Sequence, residues 1–215
     1  MEILFFSLAA VLFHIIVCVL LNSVSEESPR FPKNIIHTDK LGTAVSAAGA
    51  AISCAALYIH FEKAGAVKLP ILYILCIGLA VATVTDIKKN IISNRLVLVL
   101  LCAWGAYLAI YMMIDFQAGL LSLIGSVTGA LFSLLVFGTG YLIMKNKLGG
   151  GDVKLTFVMG LILTGDAIFG ALIYGMGLSL LFAAGALISG KMKMKDTMPF
   201  APFLFLGTAA AIAVM

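Results

Sequence analysis

Long apolar runs alternate with short polar connections along the whole 215-residue chain. The runs occupy residues 3–21, 41–61, 70–86, 96–114, 120–144, 153–165, 167–188 and 199–215. A helix needs about 20 predominantly apolar residues to cross the hydrocarbon core of a bilayer. The pattern therefore predicts an all-α fold, a polytopic transmembrane helix bundle of about eight spans. The runs are hydrophobic on every side, so their periodicity does not identify the buried face of each helix.

The sixth run, residues 153–165, is too short for a full crossing. At about 1.5 Å per residue it measures roughly 20 Å, whereas the hydrocarbon core is about 30 Å thick. This length leaves two interpretations open. Either Asp152, just before the run, lies below the membrane surface, or residues 153–188 form one broken hairpin that turns at residues 164–166.

Basic residues are concentrated in alternate connections. The connections 22–40, 87–95, 145–154 and 189–197 contain 12 of the 14 lysines and arginines. The intervening connections contain only Lys63 and Lys68. Cytoplasmic loops of membrane proteins carry an excess of Lys and Arg, so the first set is predicted to face the cytoplasm. This assignment predicts a multi-pass protein of the cytoplasmic (inner) membrane with both termini outside.

Composition supports this prediction and narrows the chemistry. The chain is 62% hydrophobic and 11% charged, whereas soluble domains are about 45–50% apolar and about 25% charged. The longest polar stretch, residues 22–40, is too short for a soluble domain. The four cysteines stand alone within apolar runs, at Cys18, Cys54, Cys76 and Cys102. We therefore expect them to be small buried side chains, and we expect no disulfide, metal site, cofactor or nucleic-acid partner.

Two aspartates occupy similar positions at the edges of apolar runs. Asp86 ends the run 70–86, and Asp152 follows three consecutive glycines. Two predicted spans separate them, and two crossings return the chain to the side it left. Both carboxylates are therefore predicted at the cytoplasmic edge of the membrane, where an acidic residue is a candidate for function. The acids predicted on the opposite side are expected to be solvated charges or helix caps, namely Glu2, Glu62, Asp115 and Asp166.

A pair of carboxylates at a water-accessible membrane edge suits peptide hydrolysis. Two such groups close together do not both ionise readily, so they share one proton near neutral pH. The ionised member takes a proton from water, and the protonated member donates one to the scissile carbonyl. The adjacent Gly149, Gly150 and Gly151 permit close approach of a substrate strand or a second helix.

The same residues also fit roles that involve no catalysis. An aspartate at a helix start is often a cap, and glycines in membrane helices often serve packing. Lys154 and Arg95 either orient a carboxylate or anchor helix ends at lipid headgroups. A different class of protein, a small transporter or channel, would use Asp86 and Asp152 to bind ions or relay protons. Transporters tend to have internal repeats and acids near the midplane, whereas this chain has no clear repeat and its acids lie at run edges.

Three segments resemble motifs of the prepilin peptidases, a family of GxGD-type intramembrane aspartic proteases. Residues 149–155, GGGDVKL, resemble the motif GxGD-V-K-L. Residues 86–96, DIKKNIISNRL, resemble the first aspartate motif, D-x5-I-P-N-x-L. Residues 198–203, MPFAPF, are similar to the closing segment M-P-F-G-P-F. The resemblance covers residues 70–207 and implies that Asp86 and Asp152 are the catalytic pair.

The resemblance also implies a substrate and an active-site loop. The implied substrate is a type IV pilin-like precursor, whose basic leader precedes a hydrophobic helix and is removed on the cytoplasmic side. Gly149, Gly150, Gly151 and Lys154 correspond to the loop around the second aspartate. The expected partners are therefore this precursor and the lipid bilayer.

The chain departs from the family pattern in three places. Ser93 stands where the family usually has proline and Ala201 where it has glycine, and neither is expected to touch the two aspartates. Many bacterial members carry, after the first span, a cytoplasmic domain with paired CxxC motifs that methylates the new N-terminus. Only the loop 22–40 stands at that place here. We therefore expect N-terminal spans and a short cytoplasmic loop at 1–69 and a peptidase core at 70–215, without N-methyltransferase activity.

Overall fold

The computed structural model describes residues 68–144, 149–190 and 198–214. In these ranges the chain forms six α-helices and no strand. They are α1 (Leu69–Lys89), α2 (Asn94–Ile114), α3 (Phe116–Met144), α4 (Gly150–Leu163), α5 (Gly165–Ile188) and α6 (Ala201–Val214). The all-α prediction is therefore confirmed for this part of the chain, and each helix overlaps one of the last six apolar runs.

Four of these helices, α1, α2, α3 and α5, are long and apolar enough to cross a membrane. The other two, α4 and α6, have 14 residues each, which gives about 21 Å of helix and less than a full crossing. The predicted count of about eight spans is therefore not confirmed. The runs 3–21 and 41–61 and the predicted position of the N-terminus lie outside the described residues.

The break between α4 and α5 lies at Thr164. This residue has φ 64° and ψ 179°, a conformation that ends the helical path, and its N–H still donates to the carbonyl of Gly160 at 3.2 Å. The helix α5 then begins at the next residue, Gly165. The turn therefore lies where the broken-hairpin interpretation placed it, and α4 and α5 are separate helices.

Glycines bring two pairs of helices into backbone contact. A Cβ atom added at Gly160 of α4 would collide with the carbonyl oxygen of Gly129 of α3, and one added at Gly129 would collide with that of Gly160. A Cβ atom at Gly207 of α6 would collide with backbone atoms of α5, including the amide nitrogen of Gly175. Small residues at such crossings let membrane helices approach closely, so α4 is seated on α3 and α6 on α5.

The helix α1 is the most deeply buried of the four long helices, whereas α2, α3 and α5 expose many of their apolar side chains. The core joins Leu75 and Leu79 of α1 to Leu155 and Met159 of α4 and Phe205 of α6, all at most 1% exposed. The exposed apolar surface of the outer helices suits contact with lipid tails. The end of the central helix α1 thus reaches the candidate site from inside the bundle.

Candidate active site

Asp86 lies in the last turn of α1, and its side chain is only 6% exposed. Among the described residues it is the one charged side chain that is buried. The helix ends at Lys89, and Asn90 follows with φ 49°, its N–H donating to the carbonyl of Asp86 at 2.8 Å. Asparagine tolerates this left-handed conformation better than most residues, so the local sequence stops α1 one turn beyond the carboxylate.

The start of α6 supplies a hydrogen bond to Asp86. The backbone N–H of Ala201 donates to Asp86 Oδ2 at 2.9 Å, and the backbone of Phe200 also interacts with this carboxylate. Ala201 is the first residue of α6. Because the first amides of a helix have no partner within the helix and carry partial positive charge, this end of α6 favours an anion.

Aromatic contacts fix this end of α6 against two other helices. The ring of Phe200 packs on Phe137 of α3, with centroids 5.5 Å apart. The ring of Phe203 packs on Phe182 of α5, with centroids 5.4 Å apart. The packing of these two rings therefore fixes the position of the Ala201 N–H independently of its bond to the carboxylate.

One expectation from the sequence is wrong. Ala201 was expected not to touch the aspartates, yet its amide is bonded to Asp86. The contact is made by the backbone, which the side chain at this position does not reveal. Ser93 stands just before α2, and its carbonyl accepts the N–H groups of Leu96 and Val97 at 3.1 and 3.3 Å. Its φ of −68° is also one that proline adopts.

Asp152 is held by the first turn of its own helix. Gly149 precedes α4 in an extended conformation, and the Asp152 N–H donates to the Gly149 carbonyl at 3.0 Å. The carboxylate bends back toward Gly149, where it receives a backbone hydrogen bond. A Cβ atom at Gly149 would lie 2.9 Å from Asp152 Oδ2. The arrangement resembles half of a capping box, with an acidic third residue reaching back to the residue before the helix.

Asp86 and Asp152 are close enough for the charge of Asp86 to act on Asp152, which agrees with the prediction that both lie at one edge of the membrane. Asp152 lies outside the four long helices and is partly buried. Burial raises the pKa of Asp152 to about 7, and the negative charge of nearby Asp86 contributes to the increase. A carboxyl group in this state holds a proton near neutral pH and can donate it, while its neighbour carries the charge.

The three glycines before Asp152 have different surroundings. A Cβ atom at Gly151 would lie 2.9 Å from the Cβ of Ile92, a buried residue of the connection between α1 and α2. A Cβ atom at Gly150 would meet only a Tyr141 ring atom, at 3.9 Å. Gly151 therefore allows the start of α4 to approach the segment that follows Asp86, whereas Gly150 has room for a methyl group.

Lys154 joins α4 to the start of α2. Its Nζ donates to the side-chain oxygen of Asn94 at 3.0 Å, and both side chains are exposed. The partner in this contact is a neutral side chain and not one of the two carboxylates. The contact connects the helix of Asp152 to the residue that begins α2, eight positions after Asp86. Arg95 is exposed beside it.

The structure describes one further acidic side chain, Asp115, and two of the four cysteines. Asp115 Oδ1 accepts the N–H of Ala118 at 3.0 Å, so Asp115 caps α3 as expected. Glu2, Glu62 and the side chain of Asp166 lie outside the described part of the chain. Within that part, no group of three or more His, Cys, Asp or Glu residues is placed to hold a metal ion. Cys76 is buried and Cys102 is exposed on α2.

An all-helical bundle with two interacting aspartates at helix ends defines a class, a membrane protein with a dicarboxylate centre. The sequence model of the type IV leader peptidase family matches residues 73–214, and the chain belongs to that family. The predicted resemblance to this family is thereby confirmed for the peptidase part of the chain.

A curated relative extends this comparison. The chain is 30% identical over 133 residues to the prepilin leader peptidase/N-methyltransferase of Bacillus subtilis (strain 168). The aligned region covers 62% of this chain and 51% of the relative, so the chain matches about half the length of that protein. No solved structure matches the chain significantly.

Proposed function

We propose that this protein is an aspartic endopeptidase that removes the leader of type IV pilin-like precursors at the cytoplasmic face of the membrane. The observation that carries the proposal is the juxtaposition of Asp86 and Asp152, from two different helices, in a member of the type IV leader peptidase family. One carboxylate is deeply buried and bonded to backbone, and the other holds a proton near neutral pH.

The reaction needs no group beyond these two side chains and water. The ionised carboxylate takes a proton from a water molecule, whose oxygen attacks the scissile carbonyl carbon. The protonated carboxyl gives its proton to the carbonyl oxygen, which yields a neutral tetrahedral gem-diol. When the C–N bond breaks, its electron pair goes to nitrogen, which takes the proton first removed from water. The second carboxylate recovers a proton as the carbonyl re-forms, so the pair ends as it began.

The location of the pair supports cleavage close to the membrane surface. The carboxylates lie at helix ends, and basic residues cluster in the same part of the fold, at Lys88, Lys89, Arg95 and Lys154. By the positive-inside rule these residues favour a cytoplasmic orientation for this end of the bundle. A precursor with a basic leader and an adjoining hydrophobic helix would present its cleavage site at that boundary.

The proposed division of the chain follows from the family match and the sequence. Residues 70–215 would form the peptidase core, and residues 1–69 would supply further spans and the short cytoplasmic loop. The chain contains no CxxC pair, so we propose that cleavage occurs without N-methylation. Methylated product from this single chain, given S-adenosylmethionine, would show that residues 22–40 have been misinterpreted.

Co-expression with a type IV pilin-like precursor tests the proposal. We expect a shortened precursor whose mass corresponds to loss of the leader. Asp115→Asn serves as the matched control, because Asp115 is an exposed helix cap away from the pair. The control should process the precursor at the wild-type rate, whereas Asp152→Asn should leave the precursor at full length. Intact precursor with the wild-type protein, inserted in the membrane at normal abundance, would remove the assignment.

A further inference from the structure

The two carboxylates are held by different parts of the chain. Asp152 receives a backbone hydrogen bond from Gly149, at the start of its own helix. Asp86 lies at the C-terminal end of α1, where the partial negative charge of the helix opposes an anion. The backbone N–H of Ala201, 115 residues further along the chain, donates to Asp86, and the backbone of Phe200 also interacts with it. An ionised Asp86 therefore depends on a donor from outside its own helix.

The amide of Ala201 is well suited to this task. Its residue is fully buried, and the next residue, Pro202, has no N–H to compete for the carboxylate. The N–H of Phe203 is already used, donating to the carbonyl of Phe200 at 3.0 Å. Phe200 and Phe203 are packed on α3 and α5. These contacts hold the start of α6 in the position from which the Ala201 N–H donates to Asp86.

The titratable groups around Asp86 come from its own helix and from the helices packed against it. The helices packed against α1 are α2, α4 and α6. In its described residues α6 has no titratable side chain, and α4 has Asp152 and Lys154, of which Lys154 is bonded to Asn94. The other titratable side chains on α1 and α2 are Tyr73, Cys76, Lys88, Lys89, Arg95, Cys102, Tyr107 and Tyr111. The charge that acts on Asp152 is that of Asp86 itself.

We propose that the Ala201 backbone N–H is a positioning group that holds Asp86 as the ionised base and so leaves the shared proton on Asp152, the acid. This assignment of roles rests on the proposed peptidase function. A charge-assisted N–H···O bond stabilises the carboxylate and not its protonated form. The raised pKa of Asp152 agrees with this division, since its causes are burial and, after that, the charge on Asp86.

Removal of the N–H without loss of the helix tests the proposal. Ala201→Pro deletes the donor at the first helical position, where proline is favoured. We expect the acid limb of the kcat/KM profile to move to higher pH by about one to two units, because a hydrogen bond to a charged group is worth about that much. Part of the lost rate should return as the pH rises and Asp86 ionises.

A proline at another helix start serves as the control. Gly165→Pro makes the same backbone change at the first residue of α5, where a Cβ atom meets nothing within 4 Å. This variant should keep the acid limb of the wild type. Substitution of Ala201 by lactic acid, which replaces the N–H by an ester oxygen and keeps the methyl group, covers the case in which the proline variant fails to fold.

A measurement without substrate separates this inference from the proposed function. In the Asp152→Asn background, the infrared carboxyl band of Asp86 reports its titration directly. Its midpoint should be higher in the Ala201→Pro or ester protein than in Ala201→Gly, which keeps the N–H. Equal midpoints would overturn the role of Ala201 whether or not the protein cleaves precursors. A shifted midpoint in a protein that cleaves no precursor would support the contact and reject the peptidase.

Discussion

Asp86 and Asp152 are held in position by different kinds of contact. Asp152 is positioned by the residues around it, the glycines and the first turn of α4. Asp86 is positioned by a helix that begins 115 residues later and by aromatic contacts to two others. A local motif thus provides one half of the site, and tertiary packing provides the other. Changes near Asp152 should therefore act through the shape of the loop, whereas changes near Asp86 should act through the distant helix.

The largest effect short of removing an aspartate is expected at Gly151. Gly151→Val places a branched side chain where even a Cβ atom would lie 2.9 Å from the Cβ of buried Ile92. The start of α4 must then move away from the segment after Asp86, and the two carboxylates separate. A displacement of about 1 Å can cost about a hundredfold in rate. Initial rates of precursor cleavage by purified protein measure the loss.

Gly150→Ala provides the matched comparison for Gly151. Its added methyl group would approach only Tyr141, at an ordinary contact distance of 3.9 Å. We expect the rate of precursor cleavage to fall by less than about threefold, because a substitution that creates no clash has a small effect. Equal losses at both glycines would indicate general helix packing and would contradict a specific contact between α4 and the loop after Asp86.

A change in the titration of Asp152 is the next expected effect. Asp86→Asn removes the neighbouring negative charge and so favours ionisation of Asp152, which lowers its pKa below about 7. The pKa should stay above that of an exposed aspartate, because burial, its larger cause, remains. The infrared carboxyl band of Asp152 measures the shift. An unchanged or higher pKa would show that the two carboxylates do not interact.

The pKa of Asp152, about 7, also predicts the alkaline limb of the pH–rate profile of the wild-type protein. Asp152 must hold its proton to act as an acid, so the rate should fall as the pH rises through about 7. The expected profile is bell-shaped, with the acid limb set mainly by Asp86 and the alkaline limb mainly by Asp152, and the interaction of the two carboxylates shifts both limbs. A rate that stays constant from neutral to alkaline pH would contradict the acid role of Asp152.

The smallest expected effect concerns Lys154. Lys154→Met keeps much of the aliphatic length and removes the donor to Asn94, an exposed contact 3.0 Å long. We expect a loss of kcat/KM of about two- to tenfold, the net value of one hydrogen bond. Asn94→Ala should cause a similar loss, and the double variant should add little, since both changes break one contact. Full additivity of the two losses would show that Lys154 and Asn94 act independently and not through their hydrogen bond.

The apolar runs predicted the helices well because burial in lipid needs long hydrophobic segments. The run 70–86 became α1, with bounds Leu69–Lys89, and the run 96–114 became α2, with bounds Asn94–Ile114. The short sixth run indicated a break, and the structure has it at Thr164. The count of two crossings predicted that Asp86 and Asp152 lie on the same side of the membrane, and α2 and α3, the helices between them, are both long enough to span.

The sequence did not predict two contacts of the site, because the residue types involved do not indicate their partners. The donor to Asp86 is a backbone N–H, identical in every residue except proline, so nothing in the side chain of Ala201 indicates it. The partner of Lys154 is a neutral side chain 60 positions away, whereas charge alone pointed to a carboxylate or a lipid. The segment MPFAPF was identified by its resemblance to a family motif, but the motif did not indicate that its backbone binds Asp86.

The rates of precursor cleavage by Asp86→Asn, Asp152→Asn and the double variant decide whether the two aspartates act as one catalytic pair. Each single change keeps the size of the side chain and removes its titratable proton. Each should reduce turnover by about 10²–10⁴-fold, and the double variant should be little slower than either, because residues that act as one unit are not additive. Cleavage by Asp152→Asn at a rate close to that of the wild type would contradict the account, and an ion flux lost in the same variant would favour a transporter.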